Sequence, residues 1–95
     1  MARSAIHPGE HLADAMGALG LSGARLARDI QVPANRISGI LRGTRAVTAD
    51  TALRLGRYFG TSADLWMGLQ AGYDQEVAER ALGERIAREV TPRAA

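Results

Sequence analysis

Between Ser22 and Gly43, in SGARLARDIQVPANRISGILRG, two short apolar-periodic segments are separated by only Gln31-Val32-Pro33. So short a gap forces the second segment to turn sharply across the first, the layout of a helix-turn-helix. In the first segment Leu26, Ala27 and Ile30 recur at helical spacing, and the Ser22 oxygen is placed to accept a first-turn N–H. Arg25, Arg28 and Asp29 face outward, with Arg25 and Asp29 four apart as an ion pair requires. In the second, Pro33 suits a first turn because its missing N–H would be unpaired there anyway, and Ile37, Ile40 and Leu41 form the inward stripe. Val32 is the apolar plug between the two. Asn35, Arg36, Ser38, Gly39 and Arg42 are left on the opposite face. An amide, guanidinium groups, a hydroxyl and bare backbone are what base edges and phosphates require, so this second helix is the expected recognition helix.

The remaining chain supplies three more helices. Residues 1–7 have no periodicity and read as a flexible arm. Pro8 and Gly9 open a helix that buries Leu12, Ala15, Met16 and Leu19, carries Glu10 and Asp14 near its positive end, and stops at Gly20. Beyond Gly43, Thr44 to Val47 form a loop in which Val47 staples the N-cap Thr48. A fourth helix, from about Ala49 to Phe59, buries Ala52, Leu55 and Phe59, exposes Arg54 and Arg57, and ends at Gly60. The fifth, capped by Thr61-Ser62, runs from about Ala63 to Leu82. Its stripe of Leu65, Trp66, Leu69 and Tyr73 reads as core plus dimer contact rather than a ligand pocket, with Asp64, Gln70, Asp74 and Glu76 on the wet side. Residues 83–95 are expected to be a tail, frayed helix or disordered. No strand-like alternation interrupts this pattern, so the expectation is an all-α domain over residues 8–82.

A domain built from 95 residues buries a modest share of its surface, which makes a homodimer the natural expectation. The net charge of +2 conceals an asymmetry: residues 25–57 hold seven Arg against two Asp, whereas residues 58–95 hold four Arg against six acids. A basic middle points to a polyanion partner there. The absence of Cys fits a reducing compartment, and no apolar run is long enough for a membrane or a secretory signal, so the expected location is the cytoplasm.

Enzymatic chemistry finds little support. His7-Pro8-Gly9-Glu10-His11 has the order of an inverted zinc-protease motif, but Pro8 and Gly9 keep His7 off the helix and no third ligand is indicated. The run from Gly39 to Thr44 lacks the spacing and Lys of a phosphate loop. No nucleophile, base and orienting group can be assembled, and no cofactor or metal is expected.

IHPGE at residues 6–10, VPANRISGILRGTRAVTADTALRLGRYFGTS at 32–62 and DLWMGLQAGYD at 64–74 together resemble the HigA-type antitoxins, short members of the lambda-repressor-like or XRE helix-turn-helix group. The resemblance spans roughly residues 6–78. It implies a dimeric five-helix domain that binds a palindromic operator, represses its own operon and neutralises a HigB-like messenger-RNA endonuclease encoded beside it. It also implies that Ala34, Asn35, Arg36 and Ser38 face the groove, and that Arg45 and Thr48 lie beside the phosphates. Gly39 joins the base-facing set, and Ser22, Arg25 and Arg42 join the phosphate set. Asn35 is the candidate for a bidentate adenine contact, and Arg36 for guanine or phosphate. Two positions depart from the group. Gln31 stands where Gly is common, so either it takes a positive φ or the turn differs, and Gly23 replaces a common Gln. For the toxin, the expected surface is the first helix with Ile6 to Met16 or the acidic outer face of the fifth. The alternatives are a free-standing repressor of the same fold and an interaction module that has lost DNA binding.

Overall fold

The computed structural model describes residues 5–94, so Met1 to Ser4 of the expected arm lie outside the described residues. Five helices follow in order: α1 Pro8–Leu19, α2 Gly23–Ile30, α3 Ala34–Leu41, α4 Ala49–Phe59 and α5 Ala63–Glu89. All regular structure among the described residues is helical.

Side chains just ahead of four helices explain where they begin. Ser22 Oγ accepts the Arg25 N–H at 3.1 Å, Thr48 Oγ1 the Thr51 N–H at 3.5 Å, and Ser62 Oγ the Leu65 N–H at 3.2 Å. Each satisfies a donor that the helix cannot pair internally. His7, expected to belong to a flexible arm, is the N-cap of α1. Its Nδ1 accepts the Gly9 N–H at 2.9 Å, and its ring lies edge-on to Tyr73 with centroids 4.8 Å apart. Pro33 precedes α3 by one position instead of opening its first turn, and it offers no side-chain cap.

Gln31 resolves the open question at the α2–α3 turn by adopting φ 58°, the left-handed region. That conformation lets the Val32 N–H reach the Ala27 carbonyl at 3.0 Å and the Gln31 N–H reach Arg28 at 3.2 Å, closing the end of α2. The Cβ of an L-residue is crowded there by about 1–2 kcal/mol, part of which glycine would return as unfolded-state entropy. Gln31→Gly should therefore raise stability by about 0.5–1 kcal/mol, read as a higher urea midpoint with an unchanged slope. A lower midpoint would mean that the Gln31 side chain makes a stabilising contact.

Leu12, Leu26, Ile37, Ile40, Ala52 and Leu55 have no exposed surface, and Val47 and Trp66 close over them. Leu19, expected on the buried stripe, is 62% exposed, because it is the last residue of α1 and reaches past the helices that α1 packs on. Two glycines permit close packing. An added Cβ on Gly9 would overlap the Ile40 carbonyl oxygen, and one on Gly56 would lie 2.8 Å from the Ala63 amide nitrogen.

Gln70 is not on the wet side. It is buried, its Oε1 accepts the Val47 N–H at 2.8 Å, and its Nε2 donates to Asp74 at 2.9 Å. The start of α5 crosses the loop that follows α3, and a carboxamide both accepts from a buried backbone donor and donates onward. The loop after the recognition helix is thereby pinned to α5.

Helix α5 passes Gly83 without a break and ends at Glu89 rather than Leu82. Glycine in a helix costs about 1 kcal/mol relative to alanine, a weak stop unless φ turns positive. Flanking side-chain pairs Gln75–Glu79, Glu76–Arg80 and Arg85–Glu89 support the helix on both sides of it. Because Val77, Leu82, Ile86 and Val90 are all more than two-fifths exposed, this half of α5 stands clear of the core. The radius of gyration, 16.3 Å, exceeds the roughly 12 Å of a compact chain of this length for the same reason.

Candidate nucleic-acid interface

Helix α3 reaches the surface through a divided set of side chains. Ala34 and Asn35 are exposed at its start, where Pro33 leaves the first turn without a side-chain acceptor. The Asn35 carboxamide is therefore presented to solvent, with two donors and an acceptor on one short arm. Ser38 is half-buried, and its hydroxyl donates to the Asn35 carbonyl at 3.3 Å. Arg42, the C-cap, is exposed.

Two expected positions are corrected. Gly39 is buried and does not present its backbone: its carbonyl accepts from the Thr44 N–H at 2.9 Å, the Arg45 N–H at 3.1 Å and the Thr44 hydroxyl at 3.2 Å. A Cβ there would approach the Cβ of Arg45 to 3.1 Å, so the role of Gly39 is to let Arg45 fold back over α3. Arg36 is not a free guanidinium. Its Nη1 donates to Asp50 Oδ2 at 2.7 Å and its side chain is only 29% exposed. With Arg45, Ala46, Thr48 and Thr51 it lines an open recess of about 240 Å³ between α3 and α4.

The expected phosphate set is similarly mixed. Arg25 pairs through Nε with both Asp29 oxygens at 3.0 Å, as its spacing predicted. Ser22 is the α2 N-cap, and the Thr48 hydroxyl is turned toward Thr51 at 3.4 Å. Arg42 and Arg45 are exposed, and among the described residues neither reaches a carboxylate. Those two cations at and just beyond the C-terminal end of α3, with exposed Asn35 at its start, are the strongest part of the surface.

Sequence reading missed the residues that hold this surface in place. Arg54, expected simply to be exposed, donates through Nη1 to the Ile30 carbonyl at 2.9 Å and through Nε to Asp50 at 3.1 Å. It thus ties the end of α2 to α4. The Tyr58 hydroxyl donates to Asp29 at 2.7 Å; that bond and then Arg25 hold the Asp29 carboxyl below its ordinary range, while Tyr58 is raised in return. Asp50 is likewise lowered, by Arg54 first and Arg36 second. The only signals in the sequence were the four-residue spacings Arg25–Asp29 and Asp50–Arg54.

The aromatic stripe on α5 divides between core and surface. Trp66 is buried, donating Nε1–H to Thr61 at 3.2 Å, whereas Leu69 and Tyr73 are half-buried and Leu65 is 46% exposed. With His11, Ala15, Phe59 and Thr61, the residues Leu65, Trp66 and Leu69 line an open apolar groove of about 470 Å³.

A short helix crossing a second at a left-handed turn, with a polar, cation-flanked outer face, defines a helix-turn-helix DNA-binding domain. A family model described as a helix-turn-helix domain matches residues 9–66, and the chain belongs to that family. Virulence-associated protein I of Dichelobacter nodosus is 48% identical over 77 residues, covering 80% of this chain and 71% of that protein. An addiction module antidote protein of the HigA family from Coxiella burnetii superposes with a TM-score of 0.94 at 46% identity, covering 96% of this chain and all of that one. Antitoxin HigA of Pseudomonas aeruginosa, solved with the higBA promoter, gives 0.92 at 44% identity over 95% of this chain and 99% of its own. The resemblance to HigA-type antitoxins read from the residues is met both in sequence and in three dimensions.

Proposed function

We propose that the chain is a cytoplasmic antitoxin that binds its own operator as a homodimer through α3, represses its operon and neutralises a partner RNA-cleaving toxin. The observation that carries this reading is exposed Asn35 at the start of α3 with exposed Arg42 and Arg45 at and beyond its end, in a fold superposing on a HigA protein solved with its promoter. Asn35 reads a base edge, and Arg42 and Arg45 grip phosphates. The second protomer binds the exposed apolar side of α5 and the groove beside Leu65, because a projecting half-helix of this length is marginal alone in water. Among the described residues no helix is long and apolar enough to cross a membrane. Binding is the activity this reading assigns: His7 lies ahead of α1 as its N-cap, with Nδ1 accepting the Gly9 N–H, so it does not share a helix face with His11 as the H-x-x-E-H motif requires.

For the toxin, α1 is the better of the two expected surfaces. On α5, Glu76 and Glu89 are paired with Arg80 and Arg85, which dilutes its acidity. On α1, Glu10 and Asp14 are exposed one turn apart, with no cation within ion-pair distance among the described residues. They complement a basic nuclease. Co-expression with the product of the adjacent short reading frame, tagged on the neighbour only, tests the whole reading. A co-purifying complex, together with growth arrest only when this chain is omitted, is the expected result. A harmless neighbour that binds nothing would leave a free-standing repressor.

A further inference from the structure

The loop that carries Arg45 is held at both ends by other elements. On the α3 side, the Gly39 carbonyl accepts the Arg45 N–H at 3.1 Å, with the Thr44 N–H and hydroxyl beside it. On the α5 side, Gln70 Oε1 accepts the Val47 N–H at 2.8 Å, a buried bond between residues 23 apart. The Val47 side chain lies in the core, which fixes where that residue sits. A directional bond to its N–H also fixes the plane of the Ala46–Val47 peptide, and so the course of the backbone back to Arg45. The carboxamide is oriented in its turn. Its Nε2 donates to Asp74 at 2.9 Å, and the reverse orientation would set its oxygen against that carboxylate and its NH2 group against the Val47 N–H. An apolar side chain would fill the same space but leave the buried N–H unpaired.

We propose that Gln70 is a positioning residue for DNA binding: through Val47 it holds the loop in the shape in which Arg45 meets a phosphate. The inference rests on Arg45 being a phosphate contact, as the proposed function assigns. Arg45 is exposed and reaches no carboxylate among the described residues, so its guanidinium is placed by the backbone beneath it and by the seat of its stem on Gly39. A loop already in its bound shape gives up little freedom when DNA arrives. An unpinned loop must be ordered at that step, at the expense of affinity. Because a phosphate contact carries no sequence information, the loss falls on every duplex alike. Gln70 is buried, so it acts through the loop and not by touching DNA.

The test measures the affinity of wild type, Gln70→Leu and Gln70→Glu/Asp74→Asn, each with and without Arg45→Ala, for the duplex that wild type selects from a random pool and for a shuffled one. Gln70→Leu leaves the Val47 N–H unpaired and should bind both duplexes on the order of fivefold more weakly. In the Arg45→Ala background the loop has no cation to place, and the same substitution should change affinity by less than about twofold. Gln70→Glu/Asp74→Asn keeps both bonds, because the new carboxylate accepts from Val47 and from the new amide, and it should bind within about twofold of wild type. A loss that persists undiminished in the Arg45→Ala background would place the effect in the fold or the dimer and overturn the proposal. So would a Gln70→Leu protein that binds like wild type, or a double variant as weak as Gln70→Leu. Thermal melting identifies any loss of fold, in which case Gln70→Ala, whose gap admits water to the Val47 N–H, provides the same comparison. Arg45→Ala that binds both duplexes as tightly as wild type would instead refute the phosphate reading of Arg45 itself.

Discussion

Gly9→Ala should lower the stability of the domain by about 3 kcal/mol, near the upper end of what overpacking a rigid site produces. The new methyl group has no room: it would overlap the backbone carbonyl oxygen of Ile40, which cannot rotate away as a side chain would. Either α1 lifts off α3 or α3 shifts, and α3 is the element whose position DNA binding needs. A domain of this length has on the order of 5–14 kcal/mol in total, so the loss is a large fraction. Expressed as melting temperature it is roughly 12 °C or more. Gly17→Ala is the internal control. That helical glycine has nothing within 4 Å of an added Cβ, so the substitution should stabilise by about 0.5–1 kcal/mol through helix propensity alone. Two Gly→Ala changes in one helix with opposite signs would establish the close α1–α3 approach, and equal melting points would rule it out.

Asn35→Ala and Arg45→Ala should divide affinity from specificity. Asn35 is exposed at the start of α3 and makes no side-chain hydrogen bond among the described residues, so its removal takes nothing from the fold. Losing a bidentate base contact should weaken operator binding by about 1–3 kcal/mol, roughly 5- to 150-fold, while leaving random duplexes unaffected. Arg45→Ala should weaken all duplexes alike and flatten the salt slope by about 0.9. The shared measurement is a competition titration over salt with both duplexes. Preserved selectivity in Asn35→Ala would remove α3 from base reading, and an unchanged slope in Arg45→Ala would remove that cation from the phosphate contacts.

Whether a residue's role was legible in the sequence depended on how far away its partner lies. Ser22, Thr48 and Ser62 each cap a helix through an amide three residues on, and Gly20, Gly43 and Gly60 take the positive φ that ends or follows a helix. Such features need only the local chain, and they define five helices and the turn between α2 and α3. The apolar spacing likewise identified Leu26, Ile37, Ile40 and Leu55 as core, because helical periodicity alone selects one face. The end of α5 was left open locally, as frayed helix or disorder beyond Leu82, and the helix runs on to Glu89 because the flanking pairs outweigh the modest propensity cost of Gly83.

The sequence by itself thus determined the helices, their caps and the outward face of α3 that carries Asn35, since each follows from residues within one or two turns. Only the tertiary structure decided how the polar side chains are used. Arg36 meets Asp50 across 14 residues, Val47 meets Gln70 across 23, and Arg54 meets the Ile30 carbonyl across 24. These pairings depend on the angles and separations at which packed helices cross, which local spacing does not specify. The same packing turned Gly39 from a presented backbone into the seat of Arg45, and it left the apolar residues of the second half of α5 exposed.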